Sequence, residues 1–383
     1  MSKDVKIVIG ANYGDEGKGL LTHHFAKNAN GKVCVVFHNG TAQRGHTVDL
    51  TDHRRHVFHH FSSGTYDNAS TYFADTFWIH PMEFAREALE LKLTKPDVMQ
   101  SVQLYYHPQA KVITPFDMMV DRATEEWIAL QHDGQREYGS CAMGTWCATD
   151  RCNTYSISDW SNANLVPFLL KATYVDCMGL LEQRGVDIEQ ISFKPYFEKN
   201  SIYFKIILDN FASDLLFFKR YAKPATFKWI YNNFDTIIFE NGQGLGLDQY
   251  VNNEWHTTSN TGLVNPVSML SDFDDFNAEV CYVTRSYLTR HGVGPLEDRV
   301  YGNFSKIPII DKTNQPNEFQ GSLRFGYVNT PDQRLRISKD WGLVANNPLF
   351  YKTIAVTHTN EFDDINFDYD YFSDNPFTVT NMK

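Results

Sequence analysis

Residues 5–24 read VKIVIGANYGDEGKGLLTHH, and no other stretch constrains the chain as much. VKIVIG is an apolar run of strand length, the glycines that follow punctuate a loop, and LLTHHFAKNA has helical spacing. KVCVVFHNG supplies a second apolar strand, so the order strand, glycine loop, helix, strand opens a βαβ unit and predicts a parallel sheet. A loop of this kind offers backbone N–H groups and a helix N-terminus to a phosphate. Asp15 and Glu16 lie inside it and repel that same anion unless a metal ion or a proton transfer employs them. Lys18 brings the opposite charge. The loop departs from GxxxxGK[ST], because Gly19 stands where a hydroxyl residue should hold magnesium. Asp15 then reads as a metal ligand or a general base.

The same alternation continues along the chain. PMEFAREALEL predicts a helix with proline near its first turn, DTIIFENGQG a buried strand entering a glycine-rich loop, and AEVCYVTRSYLTRHGVG a strand followed by a loop. KTIAVTHTN is a further apolar strand ending in polar residues. The expected fold class is therefore α/β: a large, mostly parallel central sheet flanked by helices, with a P-loop-like nucleotide-binding loop after the first strand. No linker divides the chain, so residues 1–383 are expected to form a single domain. Polar clusters where strands end are where open α/β sheets bind ligands.

A formal charge of −11 with no long Lys/Arg run argues against a nucleic-acid surface. No apolar segment approaches the ~20 residues of a membrane span, and MSKDVKIVIG runs straight into a strand pattern, so a soluble, cytoplasmic protein is expected. The six cysteines form no CxxC pair and are expected as free thiols. HVFHHF, with His56, His59 and His60, lacks suitably spaced carboxylate or thiol partners and is read as structural. The acidic, aromatic C-terminal part is expected to be solvated surface with aromatic anchors.

A second candidate cluster is NGTAQRGHTV, residues 39–48, at the end of the second strand. His46 there is suited to giving a proton to, or stabilising charge on, a transferring phosphoryl group. GDEGKG followed by GHT resembles the adenylosuccinate synthetase family, which joins aspartate to the 6-position of a purine nucleotide. FENGQGLGLD (239–248), HTTSNT (256–261) and VTRSYLTRHGVGP (283–295) resemble further motifs of that family in the same order.

The resemblance implies that Asp15 takes the N1 proton of a 6-oxopurine, so that O6 attacks the γ-phosphate of a nucleoside triphosphate, and that His46 and Lys18 assist. It implies Mg²⁺ held by phosphates, the Asp15 carboxylate and the Gly45 carbonyl. Gly14, Glu16, Gly17, Gly19, Gly45, Thr47, Thr357 and Asn360 are expected around the donor nucleotide. Gln43, Gln243, Leu247, Thr257, His291 and Gly292 are expected around the acceptor, with Thr257 on its 5′-phosphate. Ser140 and Cys141 stand where the family has a phosphate loop. Arg151 is matched to an arginine reaching across a homodimer interface. Gly321, Ser322 and Arg324 fall in the segment that binds L-aspartate, with Arg324 as the carboxylate clamp.

The departures point to a branch. The family's guanine-reading TKxD stands here as THTN, residues 357–360. Asn360 offers one acceptor and one donor where aspartate offers acceptors alone, which suits adenine and removes roughly 1.5–3 kcal/mol of preference for guanine. ATP or dATP is the expected phosphoryl donor. Ser322 replaces an arginine that in the family approaches the ribose, and Gln43 replaces an asparagine. These changes resemble the viral branch of the family that acts on dGMP, which would place the protein in a host cytoplasm. Retained Asp15 fits IMP or dIMP as the alternative acceptor, and a nucleotide-binding module without chemistry is a second alternative.

Overall fold

The computed structural model describes residues 2–132, 141–162, 164–248, 260–292, 294, 296, 323–328, 330–362 and 365–382. Among these, ten strands form one sheet in the order Thr380–Asn381, Tyr371–Phe372, Phe350–Thr357, Phe276–Arg285, Lys3–Gly10, Thr236–Gly244, Val33–Phe37, Ser70–Phe73, Leu104–Tyr106, Ala222–Pro224. Every neighbouring pair is parallel except the edge pair Tyr371–Phe372 with Thr380–Asn381. The first strand thus lies between two strands that follow it by more than two hundred residues, Val8 pairing with Glu240 on one side and Cys281 on the other.

Both faces of the sheet are covered, as apolar runs without strict alternation require. Val8, Val35, Phe37 and Ile238 face a core shared with Leu21 and Phe25 of helix Lys18–Asn28, Phe84 and Leu91 of Pro81–Thr94, and Phe211 and Phe218 of Ile202–Tyr221. Their neighbours Ile7, Val36, Ile237 and Phe239 face the other way, against Ile230 of Phe227–Asn233, Leu270 of Val264–Leu270 and Ile337 of Thr330–Trp341. Each such fully buried side chain contributes about 1.5–3 kcal/mol of apolar transfer. A third cluster, including Phe116, Cys147, Cys177 and Leu181, joins helices Pro115–Gln131, Thr145–Asp150 and Val166–Gln183.

The elements expected from spacing are present. The first helix is Lys18–Asn28, and the PMEFAREALEL helix is Pro81–Thr94 with proline in its first turn. HVFHHF begins in the short strand Arg55–Phe58, which pairs antiparallel with His46–Asp49. The six cysteines are free. No described helix is long and apolar enough to cross a membrane.

Candidate active site

Because the long central strands are parallel, their C-terminal ends open on one edge, and the loops leaving them meet there. The first loop, between Gly10 and Lys18, separates its two carboxylates. Glu16 turns inward: it is 1 % exposed, and its Oε1 accepts from the N–H of Asn12 at 3.1 Å and of Gly14 at 2.8 Å. Its Oε2 pairs with Lys18 Nζ at 2.6 Å. Burial raises the Glu16 carboxyl, but the Lys18 charge and these hydrogen bonds outweigh it and hold the group below its ordinary range. Asp15 turns outward, about one-third exposed, with Oδ2 3.4 Å from His291 Nε2. The backbone on either side is tied down, since Arg285 Nε–H donates to the Asp15 carbonyl and Thr289 Oγ1–H to the Gly14 carbonyl at 3.0 Å.

Two glycines let other elements close on this loop. A Cβ on Gly244 would sit 2.3 Å from the Asn12 carbonyl oxygen and 2.4 Å from Glu16 Oε1, so only glycine lets the loop after Thr236–Gly244 close over the first loop. A Cβ on Gly19 would lie 2.8 Å from the Thr47 carbonyl oxygen and 3.2 Å from His46 Cβ. Glycine at that point brings the start of the first helix against the strand that carries His46.

His46 is buried, and its Nδ1 lies 2.6 Å from Glu240 Oε1. At that distance two lone pairs would repel, so Nδ1 carries the proton and donates it to the carboxylate. Arg44 Nη2 reaches 2.9 Å from the same nitrogen and 3.4 Å from Glu240 Oε2, and Ser63 Oγ–H also donates to Glu240. Burial would raise the Glu240 carboxyl, but His46, Arg44 and the hydrogen bonds hold it down at about 2. Burial and the Arg44 charge lower His46 to about 4 against the pull of Glu240. The pair at neutral pH is a carboxylate and a neutral imidazole whose Nε2 has no partner among the described residues.

The remaining expected residues distribute as follows. Gln43 Oε1 accepts from Cys141 Sγ–H at 3.2 Å, and Thr41 is hydrogen-bonded to Thr145 at 3.0 Å, joining the second-strand loop to the segment opening helix Thr145–Asp150. Gln243 is buried at the end of its strand, and Leu247 packs with Tyr13 and Leu288 beside the first loop. Gly45 is exposed and Thr47 half-buried in the strand His46–Asp49. Asn360 is exposed just beyond the end of Phe350–Thr357. Arg324 donates through Nη1 to the Gly294 carbonyl at 2.9 Å, near the loop of His291 and Gly292. Ser140, Thr257, Gly321 and Ser322 lie outside the described residues.

Three of the expected residues are engaged within the chain. The Glu16 carboxylate occupies N–H donors of its own loop and neutralises Lys18. Thr357 is buried, and its hydroxyl donates to the Glu16 carbonyl at 2.9 Å, so it braces the loop. Arg151 is 3 % exposed, its Nε pairs with Asp117 Oδ1 at 2.8 Å, and its other donors reach the carbonyls of Val112 and Asn153.

Glu240 and Arg285 escaped the sequence reading. Glu240 carried a signal, being an acid that interrupts the otherwise apolar TIIF strand; Arg285 looked like an ordinary strand end.

The comparisons agree with this architecture. Residues 7–307 match the family model for adenylosuccinate synthetase. The adenylosuccinate synthetase of Picrophilus torridus is 26 % identical over 292 residues, covering 76 % of this chain and 64 % of the relative, so the chain spans slightly less than two thirds of that protein's length. A fully ligated adenylosuccinate synthetase of Plasmodium falciparum superposes with a TM-score of 0.67 at 18 % identity, over 94 % of this chain and 78 % of that one. The succinoaminodeoxyadenylate synthetase of cyanophage S-2L, bound to dGMP and to dATP as energy donor, superposes with a TM-score of 0.63 at 13 % identity, over 100 % of this chain and 96 % of that one. At these identities the two structures speak for the fold alone. On a family model that covers residues 7–307 of its 383, the chain belongs to the adenylosuccinate synthetase family.

Proposed function

We propose that this protein is a ligase that joins L-aspartate to C6 of a purine nucleotide through a 6-phosphoryl intermediate, driven by ATP or dATP, with dGMP as acceptor. The observation that carries the reading is the division of labour in the first loop: Glu16 neutralises Lys18 internally, which leaves Asp15 as the outward carboxylate. Asp15 takes the N1 proton of the bound base, and O6 forms its bond to the γ-phosphorus as the nucleoside diphosphate leaves. His46 Nε2, oriented through Glu240, lies at the transferring group. The amine of L-aspartate then bonds to C6, and the C6–O6 bond breaks with loss of inorganic phosphate. Arg324 holds an aspartate carboxylate. Because the protein forms no covalent bond to substrate, its contribution is positioning and charge stabilisation.

The Asp15 carboxylate, about one-third exposed, and the carbonyl of exposed Gly45 are hard oxygen donors, and they fit a Mg²⁺ ion that keeps several waters. When bound, that ion supplies neutralisation of phosphate charge. A homodimer is proposed from the family membership.

The choice of dGMP follows the departures at Gln43 and Ser322, which resemble the viral branch of the family. The cyanophage enzyme that holds dGMP and dATP shares the fold of this chain. Asn360, standing where the family has an acidic guanine reader, supports ATP or dATP as the donor. Retained Asp15 favours IMP or dIMP as the second reading. Incubation with L-aspartate, Mg²⁺ and ATP or dATP, offering IMP, dIMP, GMP and dGMP separately, is expected to release phosphate with dGMP and to lose it in Asp15→Ala and His46→Ala. A rate with IMP alone overturns the acceptor, and nucleotide binding without aspartate-dependent phosphate release overturns the ligase.

A further inference from the structure

We infer that Arg44 is a positioning residue for the His46 imidazole: it holds the Glu240 carboxylate in the orientation that accepts from His46 Nδ1–H, so that Nε2 alone is left for the substrate side. This deepens the proposed role of His46 and rests on it.

The geometry is a three-membered unit assembled from two loops. Arg44 leaves the second-strand loop and folds back over Phe37, its Cζ 3.7 Å from the ring centroid. Its side chain is 1 % exposed and that of Glu240 is 0 % exposed. Nη2 forms an ion pair with Glu240 Oε2 at 3.4 Å and lies 2.9 Å from His46 Nδ1, a contact between two donors once Glu240 Oε1 takes the Nδ1 proton at 2.6 Å. Ser63 Oγ–H closes on the same carboxylate oxygen. Arg44 therefore approaches the imidazole at Nδ1, while Nε2 has no hydrogen-bond partner among the described residues.

The arrangement is costly. Arg44 Nε and Nη1 are buried with no hydrogen-bond partner among the described residues, and a neutral side chain would cover Phe37 without that desolvation. What the charge gains is the carboxylate. With His46 and Ser63 both on Oε1, Oε2 is reached among the described residues by Arg44 and by the Ser63 N–H, each at 3.4 Å. Fixing both oxygens fixes the plane of the carboxylate, and that plane sets the tautomer and ring orientation of the histidine.

The test uses the full chain labelled with ¹⁵N-histidine, with His46 assigned by comparison with His46→Asn. Two-bond ¹H–¹⁵N correlation of the parent is expected to show one tautomer at His46, protonated on Nδ1. Arg44→Met, which keeps the cover over Phe37, is expected to lose that single tautomer. Its kcat for aspartate-dependent phosphate release should fall roughly 10- to 100-fold, the range for partners that orient a working ligand. KM for both nucleotides should stay within about 2-fold, because a residue that acts through His46 leaves binding in place. Arg44→Lys, retaining the charge, is expected to restore the tautomer and part of kcat.

An Nε2-protonated His46 in the parent or in Arg44→Lys overturns the inference, whether or not Arg44→Met folds. So does an Arg44→Met protein with unchanged tautomer and kcat, or one whose KM values rise while kcat holds. The tautomer is read without turnover, so its response to Arg44→Met in a protein that releases no phosphate removes the ligase and leaves the Arg44 unit in place.

Discussion

Replacing Glu16 with glutamine isolates the charge that the first loop keeps for itself. The amide has the size of the carboxylate and its Oε1 can still accept from the Asn12 and Gly14 N–H groups, so what is lost is the ion pair with Lys18 at 2.6 Å. Lys18 is 3 % exposed and would be left as an uncompensated buried cation facing an amide. Breaking a buried pair from one side costs about 3–5 kcal/mol. With an unfolding entropy of about 2.1 cal/mol/K per residue, the 383-residue chain has a total near 800 cal/mol/K, so each kcal/mol moves Tm by about 1.2 °C. Glu16→Gln should therefore melt about 4–6 °C below the parent in calorimetry without nucleotide. A triphosphate supplies the missing negative charge, so Mg²⁺ and ATP should raise Tm of the variant more than that of the parent. A variant within 1 °C of the parent, with the same response to nucleotide, would refute the account of Glu16 as an internal counter-ion.

Gly19→Ala places a Cβ 2.8 Å from the Thr47 carbonyl, where backbone must move; overpacking of about 1–3 kcal/mol exceeds the helix-propensity gain of about 1 kcal/mol, so urea unfolding should show net destabilisation, and a gain in stability contradicts the close approach. Asn360→Asp should shift the kcat/KM ratio for GTP over ATP upward by roughly 10- to 160-fold, the kinetic equivalent of about 1.5–3 kcal/mol; an unmoved ratio removes Asn360 from donor recognition. The Glu279 carboxyl is raised by burial but lowered more by the Tyr371 hydrogen bond at 2.7 Å and the Lys6 ion pair at 3.0 Å, a net shift below 4.5. Since the unfolded chain then binds the proton more readily, this stabilisation is complete above about pH 4.5 and is lost as pH falls through the folded value. Glu279→Gln should flatten that part of the urea-midpoint profile between about pH 6 and 3, and parallel profiles for parent and variant would remove the assignment.

Much of the architecture was legible because it is local. The period of VKIVIG, the glycines after it and the spacing of LLTHHFAKNA declare strand, loop and helix without reference to any other part of the chain, and the observed Lys3–Gly10 and Lys18–Asn28 follow them. The presence of Asp15, Lys18, His46 and Gln243 at the ends of strands was equally a matter of reading along the sequence. What each one does was not. Glu16 and Asp15 are adjacent and chemically alike; one faces in and the other out because Thr357 and Arg285, 341 and 270 residues away, grip the backbone between them.

The His46–Glu240 pair spans 194 residues, and it exists because Thr236–Gly244 lies beside both Lys3–Gly10 and Val33–Phe37 in the sheet. Parallel pairing carries no sequence mark of which strand neighbours which, since every central strand is the same kind of apolar run buried on both faces. Residue types and local conformation are therefore written in the chain. The direction of a carboxylate, the proton on an imidazole and the cation behind it are set by strand order, which only long-range packing decides.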